Sequence, residues 1–286
     1  TGFFGRQKQN VLRFIADKIL FAHPFRVMKK VLAAYGIAPG GSNVFDILIK
    51  KSTLSLQSGT PGFEYKRGDI SSHVHFVGPL LPVLSKKIKT RWTDERLLQY
   101  KKVILVTQGT VENDVTKLLV PTLEAFKNSE YLVIATTGGG QTNELRKQYP
   151  QANIIIEDFI AFEDVMPFAN VYVTNGGYGG VLLSIKNGLP MVAAGVHEGK
   201  NEIAARIGYF KLGLNLKTEK PTAEQIKMAV KEVLEKPDYN NAVKSLATEF
   251  DLFNPTQLVT QHIASLLKPA REVRRVKQRA FESEIY

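Results

Sequence analysis

The sequence has no cysteine among its 286 residues, which excludes disulfide bonds, thiolate metal ligands and a thiol nucleophile. It also has no apolar run near the roughly 20 residues that a membrane-spanning helix needs, and no secretory signal pattern. The chain begins with Thr1 rather than Met, and we expect that an N-terminal part of the protein precedes it. These features favour a cytoplasmic protein.

Basic residues are concentrated in the first part of the chain. Residues 1–100 hold 16 Lys and Arg against 6 Asp and Glu, whereas residues 101–267 hold 16 against 18. This imbalance suits an anionic ligand or peripheral attachment to an anionic membrane surface, and a solvated basic face explains it equally well. Nucleic acid is not expected as a partner, because the basic runs at 86–91 and 271–279 lack interleaved aromatic residues.

Apolar strand patterns and helical patterns alternate through the last two-thirds of the chain. The predicted strands are 103–107, 131–137, 153–156, 171–174, 191–196 and 212–216. The predicted helices include 116–126, 142–149, 200–207, 222–234, 241–250 and 255–267. This alternation predicts an α/β fold, a Rossmann-like parallel sheet with helices on both faces. Ligands of such sheets bind at the carboxyl ends of the strands.

The first hundred residues follow a different pattern. Helical spacing covers 7–21 and 25–35, and short strands are predicted at 54–57 and 73–77. Two helices and two short strands are too few for a complete α/β domain. We therefore predict four parts: the end of an incomplete N-terminal domain (1–80), a linker (81–100), a Rossmann-like domain (101–267) and a basic tail (268–286).

A cluster of glycines directly follows the predicted strand 171–174. Gly176, Gly177, Gly179 and Gly180 stand at the turn from this strand into a helix-compatible segment. Backbone N–H groups there, together with the positive end of the helix, would suit a phosphate. A simple tight turn is an equally good interpretation. The spacing fits neither a dinucleotide-binding fingerprint nor a P-loop.

Other strand ends carry polar or aromatic residues. Gly109 and Thr110 offer backbone N–H groups and a hydroxyl, or else begin a helix. Phe159 offers a face for a nucleobase, or else belongs to the core. Glu198 and Lys200 suit sugar hydroxyls or a phosphate, or else form a helix N-terminus. No spacing indicates a metal site or a Ser/His/Asp triad.

Four segments in this order resemble the UDP-sugar glycosyltransferases, most closely bacterial members related to macrolide glycosyltransferases and the plant secondary-metabolite enzymes. These segments are 63–67 with 73–79 (Phe-Glu-Tyr-Lys-Arg and His-Val-His-Phe-Val-Gly-Pro), 173–180 (Val-Thr-Asn-Gly-Gly-Tyr-Gly-Gly), 188–192 (Gly-Leu-Pro-Met-Val) and 198–206 (Glu-Gly-Lys-Asn-Glu-Ile-Ala-Ala-Arg). The match spans about residues 40 to 216.

The resemblance implies a two-domain GT-B fold and inverting transfer of a hexose from a UDP-sugar to an acceptor hydroxyl, on a small molecule or a lipid. It implies no metal and no cofactor besides the UDP-sugar co-substrate. The residues that it assigns to the donor are Phe159 and Ile160 for uracil, Gly177, Tyr178, Gly179 and Gly180 for the diphosphate, Thr110 for the phosphates or sugar, and Glu198 and Lys200 for the sugar. Gly109, Asn175 and Gly176 complete this predicted donor site.

Some positions depart from the family pattern. Asn175 stands where many members have a diphosphate-binding His, Leu183 where many have a ribose-binding Glu, and Gly199-Lys200 where plant members have Asp-Gln. The acceptor-activating His is expected upstream of this chain, so no catalytic base is assigned. Two alternatives stay open: a donor-binding subunit that needs a partner chain, and a GT-B epimerase of UDP-sugars that uses Glu198, Glu202 and His197.

Overall fold

The structure is a computed structural model that describes residues 2–40, 43–82, 91–109 and 111–267. Three predictions concern residues outside these described ranges: the donor contact of Thr110, most of the basic run 86–91 and the basic tail 268–286. Internal contacts divide the chain into two compact units. The first comprises residues 1–57 and 68–75, and the second comprises residues 58–67 and 76–286. The four predicted parts stay a prediction.

The first unit is mainly helical. Its helices are α1 (Phe3–Ile15), which continues into a π-helical segment (Ala16–Leu20), α2 (Ala22–Ala34) and α3 (Val44–Lys51). No side chain of α1, of the π-helical segment or of α2 is buried. The helix α3 was not predicted, and its start depends on the Asn43 side chain, which accepts the N–H groups of Phe45 and Asp46 at 3.0 and 2.8 Å.

Two short strands, β1 (Ser55–Ser58) and β2 (Val74–Gly78), pair in a two-stranded sheet. Within the second unit, Gly59 and Gly78 close the ladder as an antiparallel bridge.

The second unit is built on a six-stranded parallel sheet, and the predicted sheet is thus confirmed. Its strands are β3 (Val103–Thr107), β4 (Leu132–Thr136), β5 (Ile154–Glu157), β6 (Val171–Thr174), β7 (Met191–Ala193) and β8 (Gly213–Asn215). Their order in the sheet is β5-β4-β3-β6-β7-β8. The chain therefore adds strands to one side of β3 and then, from β6 onward, to the other. Ligands of open parallel sheets bind at such a switch point, between β3 and β6 here.

Helices cover both faces of this sheet. They are α4 (Leu119–Phe126), α5 (Thr142–Gln148), α6 (Phe162–Val165), α7 (Tyr178–Lys186), α8 (Lys200–Tyr209), α9 (Ala223–Glu235) and α10 (Pro237–Asp251). A further helix, α11 (Pro255–Leu267), follows them and buries no residue. Successive strand residues point to opposite faces. Leu105 accordingly packs in the core with residues of α6, α7, α8 and α10, and Ile104 packs with those of α4, α5 and α9.

Some predicted boundaries are wrong. The helix predicted over 116–126 begins at Leu119, because Pro121 has no N–H to donate and is tolerated only in the first turn. The strand predicted over 191–196 ends at Ala193, since the chain then turns toward the loop after β6. No helix within the described ranges combines the length and the hydropathy that a bilayer span requires.

Candidate functional site

A cavity of about 200 Å³ opens at the switch point, at the carboxyl ends of β3, β4 and β6. Its lining combines strand-end threonines, loop glycines and aromatic rings: Thr107, Gly109, Thr136, Gly138, Phe159, Ile160, Phe162, Tyr172, Thr174, Asn175, Gly177 and Gly180. Six of these lining residues were predicted for the donor site, Gly109 and five others. The site assignments themselves stay predictions.

The base of the cavity is a row of threonines that the sequence reasoning missed. Thr107 is the register partner of both Thr136 and Thr174, so three hydroxyl side chains end three adjacent strands. The Thr107 hydroxyl lies 2.7 Å from the hydroxyl of buried Tyr172. Burial raises the pKa of Tyr172, which therefore stays a neutral hydroxyl. The available signal was that each of these apolar strands ends on Thr.

Phe159 and Ile160 follow β5 and have opposite environments. The Phe159 side chain is 65% exposed, so the alternative of a core Phe is wrong for it. Its ring lies beside the glycine loop after β4, where a Cβ added at Gly139 would be 3.5 Å from Phe159 Cε2. Ile160 is only 8% exposed and packs in the core. Phe159 thus offers an exposed ring face at one end of the cavity, and Ile160 lines the same cavity from the core.

The other end of the cavity is the start of α7. Gly177 is the N-cap residue and supplies no side-chain cap. The N–H groups of Gly179 and Gly180 consequently have no acceptor within the helix, and they lie in the first turn, which carries the partial positive charge of the helix. A Cβ added at Gly179 would meet no heavy atom within 4 Å. This helix start can therefore accept an anion at close range.

Asn175 links the loop after β6 to the loop after β3. Its side-chain amide donates to the carbonyl oxygen of Gln108, and its Oδ1 accepts the N–H of Gly177 at 3.3 Å. Gly176 follows Asn175 and has a positive φ of 80°. Its N–H donates to the Thr174 hydroxyl at 3.2 Å. Asn175 thus holds the glycine loop in place and also lines the cavity.

The Tyr178 side chain takes no part in the cavity lining. Its hydroxyl donates to the carbonyl oxygen of Ser58 at 2.7 Å, and its ring stacks on Phe63 with centroids 6.4 Å apart. The Tyr178 side chain thus contacts Ser58 and Phe63 rather than the cavity.

Glu198 and Lys200 line a second cavity, of about 180 Å³, at the ends of β3 and β7. The Lys200 ammonium lies 2.8 Å from the Glu198 carboxylate. Glu198 and the following Gly199 both have a positive φ, of 55° and 81°, which directs the loop into α8. Within the described residues, no group of three or more His, Cys, Asp or Glu is arranged to hold a metal ion.

Glu219 anchors the loop that carries Glu198. Its carboxylate accepts the N–H groups of Val196 and His197 at 3.3 and 3.0 Å, and it lies 3.4 Å from the Lys117 ammonium. Burial alone would raise the pKa of Glu219, but these two N–H groups and Lys117 outweigh it and hold the pKa below its ordinary value. Glu219 is thus ionised at neutral pH.

Residues 122–265 match the family model described as "Erythromycin biosynthesis protein CIII-like, C-terminal domain". The chain belongs to the UDP-sugar glycosyltransferase family. The predicted family is thus confirmed by half of the chain, a stretch that includes Phe159, the glycine loop after β6 and Lys200.

Glycosyltransferases of bacteria and fungi are similar to this family member over most of its length. The chain is 34% identical over 247 residues to 4'-demethylrebeccamycin synthase of Lentzea aerocolonigenes. That alignment covers 86% of this chain and 58% of the synthase. The chain is also 32% identical over 249 residues to UDP-glucosyltransferase 1 of Beauveria bassiana, in an alignment that covers 85% of this chain and 54% of that protein. The chain thus spans about half the length of the curated relatives that it matches.

The fold is also that of solved glycosyltransferases. The calicheamicin glycosyltransferase CalG4 superposes with a TM-score of 0.72 at 21% identity, which covers 94% of this chain and 67% of CalG4. The predicted GT-B class is therefore confirmed for the part of the fold that this chain comprises.

Proposed function

We propose that this chain binds a UDP-sugar and takes part in transferring its hexose to an acceptor hydroxyl. One observation carries the proposal: the cavity at the switch point has an exposed aromatic ring at one end and an uncapped, glycine-led helix start at the other. A nucleoside diphosphate has matching groups at its two ends, a flat base and a diphosphate, which a ribose joins. The names of the relatives, UDP-glucosyltransferase among them, support uridine as the nucleoside.

The uracil ring stacks on Phe159, above Ile160. The diphosphate accepts the N–H groups of Gly179 and Gly180, and the positive end of α7 favours its charge. The same fixed donors stabilise the UDP leaving group as negative charge develops on it, without a metal ion or a further cofactor. The contact of Thr110 with the phosphates or the transferred sugar stays a prediction from the sequence.

The hexose lies toward Glu198 and Lys200 in the second cavity. Their ion pair presents two acceptor oxygens and one ammonium to the sugar hydroxyls. Transfer proceeds with inversion at the anomeric carbon, to a hydroxyl of a small molecule or a lipid. The group that activates this hydroxyl is not assigned to any residue of this chain.

Calorimetric titration with UDP tests the donor site. We expect the wild-type chain to bind UDP and Phe159→Ala to bind it about tenfold more weakly, because a base stacked on an aromatic ring contributes about 1–3 kcal/mol. Phe168→Ala is the matched control: Phe168 is also exposed, at 48%, but follows α6 and does not line the cavity. A folded wild-type chain that binds no UDP contradicts the proposal, as does equal affinity of the two variants.

Product analysis tests the reaction. Incubation of the full-length protein with UDP-glucose and a panel of hydroxyl acceptors should yield a β-linked glucoside, the inverted product of the α-linked donor. UDP-glucose incubated without an acceptor should remain unchanged. Formation of an epimeric UDP-sugar in that second incubation would identify an epimerase instead.

A further inference from the structure

Residues 58–65, called here the 58–65 segment, pack against three helices of the second unit. At its start, the Ser58 carbonyl oxygen accepts the Tyr178 hydroxyl of α7 at 2.7 Å. In its middle, the Gly62 N–H donates to the Glu249 carboxylate of α10 at 2.8 Å. At its end, the Tyr65 ring packs edge-on against Tyr209 of α8, with centroids 5.1 Å apart.

Arg206 of α8 is the most extensively bonded contact of this segment. Its guanidinium donates to the Phe63 carbonyl oxygen and to the Glu64 carboxylate, both at 3.1 Å. It also donates to Glu202, one turn earlier in α8, at 2.6 Å, and its Cζ lies 5.3 Å from the centre of the Tyr65 ring. The Arg206 side chain is only 17% exposed, so these charge-assisted bonds are largely shielded from water.

The segment also lies close to α7 and α10. A Cβ added at Gly62 would lie 1.9 Å from Glu249 Oε2, and one at Gly59 would lie 2.8 Å from the Tyr178 hydroxyl oxygen. Phe63 is buried between Tyr178 and Phe210, with ring centroids 6.4 and 6.0 Å away. The segment is therefore packed against α7 and the end of α8 as well as hydrogen-bonded to both helices.

The starts of α7 and α8 both face the predicted donor site. The first of these helices begins at Tyr178, beside the diphosphate-facing glycines, and the second begins at Lys200. The two starts lie against each other, because a Cβ added at Gly176 would be 3.5 Å from the Lys200 carbonyl oxygen. The position of these helices thus determines where the N–H groups of Gly179 and Gly180 and the Lys200 ammonium meet a donor.

We propose that Arg206 and the Tyr178 hydroxyl are positioning residues for the donor: by binding the 58–65 segment, they hold the starts of α7 and α8 in the geometry that accepts a diphosphate. This inference rests on the proposed function. Neither group lines the cavities, so both act through the backbone of the helices that carry them.

Calorimetric titration with UDP of three variants tests the proposal. Tyr178→Phe removes the hydroxyl and keeps the ring and the backbone. Arg206→Gln removes the charge and the paired donors. We expect each to weaken UDP binding about fivefold or more, because hydrogen bonds weaken when their donors move from the favourable position. Arg206→Lys keeps a charge without the planar fork and should restore part of the affinity.

Arg96→Gln is the matched control. Arg96 also pairs with a carboxylate, that of Asp94 at 2.7 Å, and also donates to backbone carbonyls, those of Ala152 and Ile154 at 3.2 and 3.1 Å. These partners lie outside α7 and α8, so this variant should lower the melting temperature without changing the affinity for UDP.

The outcomes separate this inference from the proposed function. A folded wild-type chain that binds no UDP overturns both. If the wild-type chain binds UDP and the affinities of Tyr178→Phe and Arg206→Gln equal that of Arg96→Gln, only the positioning role is overturned. If Arg206→Gln fails to fold, Tyr178→Phe decides. Hydrogen exchange adds a second readout: UDP should increase protection of the Gly62 amide in the wild type and less so in Tyr178→Phe, because coupling between two sites is reciprocal.

Discussion

Gly195 shows how the absence of one side chain brings two loops of the candidate site together. It lies in the loop after β7, and a Cβ added there would be only 2.1 Å from the carbonyl oxygen of Asn175 in the loop after β6. Its φ is not in the left-handed region, so the requirement for glycine comes from this close approach alone. The Asn175 side chain in turn bonds to Gln108.

We expect Gly195→Ala to lower the free energy of unfolding by about 2–3 kcal/mol, because the added carbon overpacks a site bounded by backbone. Urea denaturation measures this loss. The variant should also bind UDP more weakly, since Asn175 holds the loop that begins α7.

Gly140→Ala is the matched control for this prediction. Gly140 lies at the same edge of the sheet, has no positive φ, and has open space where its Cβ would be. Its free energy of unfolding should stay within about 0.5 kcal/mol of the wild type. Equal urea midpoints for the two alanine variants would contradict the packing argument.

At the scale of elements, strand ends and helix starts decide the site. The six strands were predictable because each is a short apolar run, rich in β-branched residues, and bounded by glycine or polar residues. The exact ends of the strands were not predictable from the sequence. The end of β7, for example, depends on the contact of the following loop with the loop after β6. The start of α4 depends on Pro121, which the helical pattern over 116–126 does not take into account. The loop between β7 and α8 depends on Glu219, more than 20 residues later.

This anchoring of the β7–α8 loop predicts a pH dependence. The pKa of Glu219 in the folded protein lies below its ordinary value of 4.5, so the carboxylate stabilises the fold above that pH. Its contribution should disappear as the pH falls through the lower folded-state pKa. Glu219→Gln keeps an acceptor oxygen for the two N–H groups but loses the charge, so its stability deficit at pH 7 should vanish in acid.

Urea denaturation of wild type and Glu219→Gln, at pH 7 and in steps below pH 4.5, measures this change. Glu130→Gln is the control: Glu130 is exposed in the turn before β4, and its substitution should change stability little at any pH. A Glu219→Gln deficit that persists unchanged in acid would contradict the charge-based account.

At the scale of the whole molecule, the two units differ in how much they bury. The second unit has a core on each face of its sheet, whereas α1, the π-helical segment and α2 of the first unit bury no residue. Phe4, for example, is 87% exposed. Helices without buried contacts open at low free-energy cost, since most helix stability in proteins comes from packing.

Limited trypsin digestion should therefore cut first at the Lys and Arg residues between positions 6 and 30. A fragment that contains the six-stranded sheet should persist, and intact-mass measurement identifies both products. UDP should protect the sheet-containing fragment further, because it binds only the folded form. First cuts within 103–267, or resistance of 6–30 equal to that of the sheet, would contradict this prediction.

The sequence by itself determined the α/β class and the strands, because apolar periodicity is a local pattern. It also indicated the family, because four segments in order resemble its members. Only the tertiary structure decided which strands are neighbours. It brought β6 beside β3, and so joined Phe159, Asn175 and the threonine row in one cavity. It also paired Arg206 with Glu64, 142 residues apart. Local patterns report which face of an element is buried, whereas contacts between distant residues depend on packing that no local pattern encodes.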